Sequence, residues 1–351
     1  MHTIGYAAHS PESQLVPHAF DRREPRADDV VIEILYCGVC HSDLHTARND
    51  WGGTKYPIVT GHEIVGQVVA TGPEANRYKV GDKVAVGCFV DSCGHCDQCR
   101  HDHENYCRNG WTGTYNGTDK VDGSVTQGGY SRHVVVKEHF VLRLPEGLDV
   151  AKAAPLLCAG ITTWSPLREW NAGPGSRVGV VGLGGLGHMA VKFARALGAH
   201  VTVISRSPGK EADALALGAD AVLVSTDTEA MLSAINGFDL IIDTVPVRHD
   251  INPYLPLLDY DGTMVLVGQI GLVDEPHTLP LVFGRRRLAG SLVGGIAETQ
   301  EMLDFCARHN ILPECEMIAM DQINEAFERM EKSDVRYRFV IDMSTLADVA
   351  A

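Results

Sequence analysis

The sequence predicts an α/β protein in which a small β-barrel domain is joined to a domain built on a doubly wound parallel sheet. Its length of 351 residues is enough for two separate hydrophobic cores. Short strands broken by glycine fill the first part of the chain, and apolar strands alternate with amphipathic helices after Ala151. A composition of 45% hydrophobic and 21% charged residues is ordinary for a globular protein.

The first part of the chain, assigned to residues 1–152, is rich in valine and isoleucine and has little helical periodicity. Its strand patterns are VVIEILYCG, EIVGQVVATG, VGDKVAVG and GGYSRHVVV. Alternation of apolar and polar residues between glycines is typical of half-buried strands. This part therefore predicts a small β-barrel or sandwich.

The middle of the chain, assigned to residues 153–294, opens with the helical stretch AKAAPLLCAGITTWSPLREW. The predicted strands are RVGVVG, HVTVIS, AVLVS, DLIIDTV, GTMVLVGQ and LAGSLVG, with helices such as LGHMAVKFARALG and KEADALALGA between them. Nearly all-apolar strands separated by helices predict a parallel sheet covered on both faces. Residues 295–351 hold two helix patterns and the strand RFVIDM, too few for a third domain, so we expect them to return to the first domain.

Composition also excludes several classes of function. A formal net charge of -15 argues against nucleic-acid binding, which needs a basic surface. The dense basic run from Arg285 to Arg287 is interpreted as a solvated loop. No apolar run reaches the length of a membrane span, and MHTIGYAAHSPESQ lacks the features of a signal peptide. We therefore expect a cytoplasmic protein whose clustered thiols bind metal rather than form disulfides.

The stretch DSCGHCDQCRHDHENYC contains four cysteines with the spacing C-x2-C-x2-C-x7-C, namely Cys93, Cys96, Cys99 and Cys107. One loop with this spacing can wrap four thiolates around a tetrahedral ion and leave no open position. The pattern predicts a structural zinc site in a lobe of about residues 88–110. An iron–sulfur cluster is the alternative metal group. His95 is interpreted as a surface loop residue, because four sulfurs already complete a tetrahedron.

A second metal site is predicted from YCGVCHSDLH, TGHEIVG and PLLCAGITT, which carry Cys40, His62 and Cys158. Two thiolates and one imidazole leave a fourth position free, as a catalytic zinc site requires. Each residue alone would be typical of a buried core position. Glu63 follows His62 and can approach the metal to assist ligand exchange, or it is a surface acid at a strand end.

The segment that follows Cys40 contains three residues with predicted supporting roles, namely Ser42, Asp43 and His45. Asp43 can hold a ligand histidine by its second nitrogen, which fixes the ring tautomer, or it caps a helix. Ser42 and His45 would share one face of a helical turn and could carry a proton between a buried alkoxide and solvent. The remaining cysteines lack partner spacing and are assigned to packing: Cys37, Cys88, Cys306 and Cys315.

A dinucleotide site is predicted from RVGVVGLGGLGHMAVKFARALG, in which G-x-G-x-x-G follows an apolar strand and opens a helix. Gly182 would permit the tight turn, Gly184 the approach of the pyrophosphate, and Gly187 the close packing of helix and strand. Gly185 and Leu186 complete the motif, and the phosphates would rest on the helix N-terminus.

The next strand, HVTVIS, leads into SRSPGK, where an NAD enzyme usually has an acidic residue for the ribose 2′-hydroxyl. Ser205, Arg206 and Lys210 can instead bind a 2′-phosphate by hydrogen bonds and charge. The sequence therefore predicts NADP(H) rather than NAD(H).

GHEIVG, CGVCHSDLH, the four-cysteine lobe, PLLCAGITT and GLGGLGH together resemble the zinc-containing medium-chain dehydrogenases. The resemblance is to the cinnamyl-alcohol-dehydrogenase-like branch, including its bacterial NADPH-dependent aldehyde reductases, and it runs from the first strands to RFVID. It implies a GroES-like catalytic domain formed from both chain ends, a Rossmann domain between them, and a zinc ion in the cleft. It also implies a homodimer joined through the last Rossmann strand.

The resemblance assigns further residues to the cofactor and the substrate. It implies that Thr162 contacts the nicotinamide and that His41 faces the cofactor phosphates. The nicotinamide groove would be lined by Val267, Gly268 and Ser291, and the substrate pocket by Trp51, Trp111 and Leu292. Trp111 could equally be a packing anchor beneath the cysteine lobe.

The predicted function is the reversible interconversion of aliphatic or aromatic, cinnamaldehyde-like aldehydes and primary alcohols, with two zinc ions per chain and NADP(H). Zinc would polarise the carbonyl oxygen and NADPH would deliver the hydride. An NAD-linked polyol or secondary-alcohol dehydrogenase is the alternative, although such relatives carry a carboxylate where Cys158 stands. A zinc-ribbon binding protein would need only the lobe, and a zinc-free quinone or enoyl reductase would lack Cys40.

Overall fold

A computed structural model describes residues 1–268 and 271–347, which form two compact units. The first unit contains Met1–Cys158 and the chain from Gly294 onward, and the second contains Ala159–Val293. The first unit thus continues past the predicted boundary at residue 152, because the segment before Cys158 packs on its strands. The end of the predicted strand GTMVLVGQ, Gln269, and the last residues of the predicted C-terminal segment lie outside the described residues.

Strands and helices follow the two patterns of the sequence. The strands, in chain order, are β1 (His2–Ala7), β2 (Val16–Asp21), β3 (Asp29–Val39), β4 (Ile64–Thr71), β5 (Lys83–Val86), β6 (Phe89–Asp91), β7 (Thr112–Gly113), β8 (His133–Lys137), β9 (Leu142–Arg143), β10 (Arg177–Val181), β11 (His200–Ser205), β12 (Ala221–Val224), β13 (Phe238–Asp243), β14 (Leu258–Leu266), β15 (Arg287–Gly290), β16 (Cys315–Ala319) and β17 (Arg338–Asp342). The α-helices are α1 (His41–Ala47), α2 (Asp97–Arg100), α3 (Ala159–Glu169), α4 (Gly187–Ala196), α5 (Glu211–Ala216), α6 (Thr228–Ser233), α7 (Thr278–Gly284), α8 (Ile296–His309) and α9 (Ile323–Glu331). Within the described residues, no helix has the length and apolarity needed to cross a membrane.

Short 3-10 turns complete the regular structure. They span Glu104–Tyr106, Glu138–Phe140, Ala154–Leu157, Pro208–Lys210, Leu255–Leu257, Met320–Gln322 and Met343–Thr345.

The main sheet of the first unit has the strand order β16-β17-β3-β4-β5-β9, and β8 also pairs with β3. Strand β3 is antiparallel to β4, β8 and β17, and valine and isoleucine side chains such as Val30 and Ile32 are fully buried. The pairing of Phe339 with Val39 brings the C-terminal segment beside the end of β3. Arg338 therefore lies close to the segment that carries Cys40.

The second unit is a six-stranded sheet in the order β12-β11-β10-β13-β14-β15, and every pairing in it is parallel. Val178, Val180, Val201 and Val203 are fully buried, as the apolar strand patterns require. Strand β10 has β11 on one side and β13 on the other, so the strand order reverses next to it. Open α/β sheets bind ligands at such a reversal, outside the carboxyl ends of the strands. The predicted α/β fold class is confirmed.

Several predicted strands are shorter in the structure: VGDKVAVG is strand only over Lys83–Val86, LAGSLVG ends at Gly290, and β8 starts late. β8 begins at His133, although the pattern GGYSRHVVV predicts a strand from Gly128. The backbone N–H groups of Gly128, Gly129 and Tyr130 donate instead to the carbonyl oxygens of residues 59–61. The segment thus packs against the chain just before His62 and does not extend the sheet.

Candidate active site

Four buried side chains in the first unit offer metal-ligating atoms that all lie within 4.8 Å of one another: Cys40, His62, Glu63 and Cys158. Cys40 is the N-cap of α1, His62 and Glu63 directly precede β4, and Cys158 follows a 3-10 turn. The Sγ atoms of Cys40 and Cys158 are 3.8 Å apart. Two thiolates bound tetrahedrally to zinc at about 2.3 Å would lie about 3.8 Å apart. The donor set therefore fits a zinc ion.

Asp43 orients the histidine of this set. Its carboxylate is fully buried, and Oδ1 lies 3.0 Å from His62 Nδ1 and accepts from the Gly61 N–H at 3.0 Å. Oδ2 accepts from the Cys40 N–H at 2.9 Å and from the Tyr130 hydroxyl at 2.8 Å. A carboxylate on one ring nitrogen fixes the tautomer and leaves the other nitrogen for a metal. Asp43 thus holds the histidine and also caps α1, so its two predicted roles coexist.

Glu63 is tied to Arg338, and both side chains are buried. Arg338 Nη2 donates to Glu63 Oε1, whereas Glu63 Oε2 has no hydrogen-bond partner among the described residues. Burial raises the pKa of Glu63, and the adjacent Arg338 guanidinium opposes this by favouring the charged carboxylate. A β-carbon at Gly38 would lie 1.9 Å from Oε2, so only glycine fits there. Arg338 was not predicted as a site residue, although a charged residue that opens the apolar strand RFVID is a signal for a buried partner.

The predicted relay residues share α1, but the structure does not join them. Ser42 Oγ lies 3.7 Å from Cys40 Sγ, at the metal end of the helix. His45 Nδ1 lies 2.8 Å from Asp50 Oδ2, and its ring is 5.2 Å from that of Trp51. In the described chain no hydrogen bond links Ser42 to His45. The His45 side chain is 31% exposed, so solvent can exchange protons with it.

Two further groups lie against the ligand set without having been predicted. A hydrogen bond with Cys158 lowers the pKa of Cys88 to about 6, and His62 acts in the same direction. Cys88 Sγ also donates to the Leu157 carbonyl oxygen at 3.6 Å, so Cys88 lies beside the candidate ligand Cys158, although it was assigned to packing. The ring of Tyr115 packs 5.5 Å from that of His62. Neither residue stands in a ligand-like spacing, so the sequence carried no signal for them.

The cysteine lobe, residues 88–110, brings its four predicted sulfurs together within 4.8 Å. Cys93 and Cys99 Sγ are 3.9 Å apart, and Cys96 and Cys99 Sγ are 3.5 Å apart. Backbone N–H groups of Cys96 and Cys93 donate to the sulfurs of Cys93 and Cys107. Such bonds favour thiolates, and a hydrogen bond from the His95 backbone lowers the pKa of Cys93 to about 5. His95 is not part of this group of four sulfurs, and its ring Nδ1 lies 2.6 Å from the Cys93 carbonyl oxygen. Four sulfurs fit a closed structural zinc site.

The glycine-rich turn of the second unit leaves room where a dinucleotide would bind. Gly182 has φ +88°, which favours glycine, and a β-carbon at Gly187 would lie 2.1 Å from the Gly182 carbonyl oxygen. A β-carbon at Gly184 would meet nothing within 4 Å. The fold thus requires two of the glycines but not Gly184, whose open space fits a closely approaching pyrophosphate. Leu186 is the N-cap of α4, and Gly185 precedes it.

Ser205, Arg206 and Lys210 lie at the end of β11 and in the turn after it. Ser205 Oγ accepts from the Ser207 N–H at 3.2 Å, and the Arg206 side chain is exposed. Lys210 Nζ donates to the Leu183 carbonyl oxygen at 3.0 Å, which holds it against the glycine-rich turn. The turn therefore presents hydroxyl and cationic groups without a carboxylate at Ser205.

The remaining predicted cofactor residues are distributed over both units. His41 begins α1, where burial lowers its pKa, and Thr162 is buried on α3. The N–H groups of Val267 and Gly268 donate to the Asp243 carbonyl oxygen at 3.0 and 3.1 Å. The Ser291 N–H donates to the Leu266 carbonyl oxygen at 3.3 Å, so these residues flank the carboxyl ends of β13 and β14.

The predicted pocket residues all have large exposed side chains. Trp51 packs beside His45, and the ring of Trp111 lies 5.9 Å from that of Phe89. Trp51 and Trp111 belong to the first unit and Leu292 to the second. Their common role in a substrate pocket stays a prediction.

Comparison with known proteins assigns the chain to a family. Residues 26–146 match the alcohol dehydrogenase GroES-like domain, and residues 185–308 match the zinc-binding dehydrogenase domain. Aldehyde reductase YahK of Escherichia coli is 54% identical over 346 residues, which cover 97% of this chain and 98% of the relative. The chain belongs to the zinc-binding alcohol dehydrogenase family.

Other relatives place this alcohol dehydrogenase in the cinnamyl-alcohol-dehydrogenase-like branch. NADP-dependent alcohol dehydrogenase C 1 of Mycolicibacterium smegmatis is 53% identical over 97% of this chain and 98% of its own. A cinnamyl alcohol dehydrogenase of Sorghum bicolor superposes with a TM-score of 0.96 at 47% identity and covers both chains fully. The Helicobacter pylori enzyme complexed with NADP(H) gives 0.88 at 38% identity, over 98% and 99% of the two chains. The predicted family and its fold, a GroES-like domain and a parallel-sheet Rossmann domain, are confirmed.

Proposed function

We propose that this alcohol dehydrogenase interconverts aliphatic and aromatic aldehydes and primary alcohols with NADP(H), and that it favours aldehyde reduction. The observation that carries the proposal is the buried donor set of Cys40, His62 and Cys158. These three donors leave a fourth position for a substrate oxygen, and Glu63, bound to Arg338 through Oε1, lies beside it. Aldehyde reductase and NADP-dependent alcohol dehydrogenase are the names of relatives that cover nearly the whole chain.

Two zinc ions per chain are part of this proposal. Cys40, His62 and Cys158, with Glu63 beside them, would hold the catalytic ion, and the four cysteines of the lobe would hold the structural one. The catalytic ion supplies Lewis-acid polarisation of a carbonyl oxygen when it is bound. Asp43 keeps His62 in the ligating tautomer, and Arg338 neutralises Glu63 so that the site tolerates a buried carboxylate.

The second unit would bind NADP(H), which supplies the hydride when bound. Gly182, Gly184 and Gly187 shape the turn for the pyrophosphate, and the backbone at Gly185 and Leu186 opens the helix N-terminus toward it. The 2′-phosphate would be bound by Ser205, Arg206 and Lys210. The remaining contacts are assigned to His41, Thr162, Val267, Gly268 and Ser291.

Proton exchange with solvent is assigned to Ser42 and His45. Ser42 lies at the metal end of α1, and His45 lies where solvent reaches it. Asp50 fixes the His45 ring through Nδ1, which leaves Nε2 free to exchange a proton. Trp51, Trp111 and Leu292 are proposed to contact the substrate.

The proposal extends to assembly and location. We expect a homodimer joined through β15, the last strand of the parallel sheet, and no nucleic-acid or membrane partner. None of the ten cysteines forms a disulfide, which is in keeping with a cytoplasmic location.

The test is a panel of aldehydes assayed with NADPH and NADH, together with zinc analysis. We expect aldehyde reduction with NADPH preferred and two zinc ions per chain. Replacing Arg206→Ala should lower kcat/KM for NADPH about 10- to 100-fold, since a lost charge-assisted hydrogen bond costs roughly 1.5 to 3 kcal/mol.

The control is Arg195→Ala, on the last turn of α4. This replacement should leave kcat/KM unchanged for both NADPH and NADH. A wild-type preference for NADH, or an NADPH:NADH ratio unchanged by Arg206→Ala, would contradict the cofactor assignment. One zinc ion per chain without reductase activity would favour a zinc-ribbon binding protein instead.

A further inference from the structure

We infer that Tyr130 is a positioning residue for the candidate catalytic metal: its hydroxyl completes the hydrogen bonding of Asp43 and thereby fixes His62 and Cys40. This inference rests on the proposal that Cys40, His62 and Cys158 hold zinc. It adds a segment that is remote in the sequence from every ligand.

Asp43 is satisfied by four donors, and Tyr130 supplies the one that the ligand segments do not. The other three are the N–H groups of Cys40 and Gly61 and the Nδ1 of His62. Tyr115 also interacts with Asp43 through its side chain, but the close donors to Oδ2 are the Cys40 N–H at 2.9 Å and the Tyr130 hydroxyl at 2.8 Å. Loss of the Tyr130 hydroxyl would therefore remove one of these two close donors in a fully buried site. A buried carboxylate oxygen that loses a donor seeks another, so Asp43 would turn or bind the His62 proton more strongly.

The backbone around Tyr130 is built for close approach to the ligand-bearing chain. The N–H groups of Gly128, Gly129 and Tyr130 donate to carbonyl oxygens of residues 59–61 at 2.7 to 2.9 Å. A β-carbon at Gly128 would lie 2.4 Å from the Thr60 carbonyl oxygen, and one at Gly129 would lie 2.4 Å from the Ile64 side chain. The two glycines therefore allow the contact that carries the hydroxyl to Asp43.

Arg22 clamps the same segment from its other side. Its guanidinium donates to the carbonyl oxygens of Gln127 and Gly128 at 2.8 and 2.7 Å and to Ser131 Oγ at 2.8 Å. Burial lowers the pKa of Arg22 to about 9, which still leaves it charged at neutral pH. Protein groups thus hold the segment that carries Tyr130.

Packing alone does not account for a tyrosine at this position. The ring is fully buried, and a β-carbon at Gly61 would lie 2.6 Å from it, so the ring fills its space. Phenylalanine would provide the same ring without an oxygen to satisfy. Burial, reinforced by Asp43, holds the pKa of Tyr130 well above its usual value, so the hydroxyl remains a donor.

The test compares Tyr130→Phe with Tyr78→Phe, which removes a hydroxyl bonded at 2.6 Å to the Val141 carbonyl oxygen. Cobalt would replace zinc, and its absorption bands and chelator competition would report each site separately. In Tyr130→Phe the catalytic-site bands should shift and the metal should bind about tenfold more weakly, as for other outer partners of ligands. The lobe bands should not change, and kcat should fall while KM for NADPH stays the same.

Tyr78→Phe should match wild type in the bands, in metal affinity and in kcat. The inference is overturned if Tyr130→Phe keeps the wild-type bands and affinity and only melts earlier. If wild type itself binds metal at the lobe alone, the proposed catalytic site fails before Tyr130 is tested. Should Tyr130→Phe not fold, 3-fluorotyrosine at this position keeps the ring and makes its hydroxyl a stronger hydrogen-bond donor. Unchanged catalytic-site bands in that protein would again overturn the inference.

Discussion

Arg338 compensates the Glu63 carboxylate at the edge of the candidate metal site. Both side chains are buried, at 6% and 0% side-chain exposure, so neither charge is solvated by water. Desolvation of such a pair often equals its attraction, but removing one partner leaves a buried charge without compensation. The free energy of unfolding of the first unit should therefore depend on keeping both Arg338 and Glu63.

Replacing Arg338→Met should lower the free energy of unfolding by about 3 to 5 kcal/mol. Urea unfolding in zinc-saturated buffer measures it. Arg143→Met is the matched control, because Arg143 pairs with Asp304 at 57% exposure, and it should cost no more than about 1 kcal/mol. The double replacement Glu63→Met with Arg338→Met should recover part of the loss. Equal effects of Arg338→Met and Arg143→Met would contradict the prediction.

His249 predicts a pH dependence of stability in the second unit. Its Nε2 lies 3.0 Å from Oδ2 of the buried Asp243, and this interaction raises the pKa of His249, against burial. A raised pKa means that the folded state holds the proton more tightly. The contribution is therefore fully present below the unfolded pKa of about 6.5 and is lost as pH rises through the folded pKa.

Urea unfolding of cofactor-free wild type and His249→Gln at about pH 5.5 and about pH 8.5 checks this. The free energy of unfolding of wild type should exceed that of His249→Gln by a larger amount at the lower pH. His309→Gln, at an exposed helix end, serves as the control and should show no such difference. A wild-type advantage that grows with pH would reverse the sign and reject the prediction.

At the scale of elements, the glycine-rich turn separates the needs of folding from those of binding. Gly187→Ala places a β-carbon 2.1 Å from the Gly182 carbonyl oxygen and should destabilise the protein by about 1 to 3 kcal/mol. Gly184→Ala meets no protein atom within 4 Å and should melt like wild type. It should nevertheless raise KM for NADPH, because the methyl group enters the space assigned to the pyrophosphate. Thermal melting combined with cofactor titration distinguishes Gly187→Ala from Gly184→Ala. Normal NADPH binding by Gly184→Ala would show that the pyrophosphate does not bind at this turn.

The sequence predicted this turn because a strand, three spaced glycines and a helix are a local pattern. It mispredicted residues 128–132 as part of β8. The N–H groups of residues 128–130 donate to residues 59–61, and Ser131 forms an isolated antiparallel bridge with Gly5, so both partners are distant in sequence. Arg285–Arg287 was interpreted as a solvated loop, which describes the exposed Arg285 in its turn but not the whole run. Arg285 and Arg286 bond to Asp261 and Asn236, and Arg287 begins β15. Composition reveals charge but not the partner that neutralises it.

At the scale of the whole molecule, periodicity was enough for the fold class, because apolar alternation is imposed by burial. The candidate ligands were predictable because thiolates and imidazoles are few and stand in recognisable motifs. Arg338 and Tyr130 were not, because their roles arise only when β17 and residues 128–131 pack against the ligand segments. A residue that acts through a tertiary contact leaves no spacing in the sequence.

The last prediction concerns assembly. In the described chain β15 ends the sheet of the second unit, and Val282 and Phe283 on the neighbouring α7 are 71% and 78% exposed. A sheet edge beside exposed apolar side chains is a template for pairing with a second copy, and a two-fold axis would pair β15 with itself. We expect wild type at twice 38.0 kDa in light scattering, and Phe283→Glu as a monomer that keeps its melting temperature and NADPH binding. Val80→Glu, at a residue of the first unit that is 65% exposed, should remain dimeric. If Phe283 lies in the interface, Phe283→Glu would bury a glutamate without a partner on each side of the two-fold axis and so prevent dimerisation. A variant that remains dimeric would therefore show that the interface lies elsewhere.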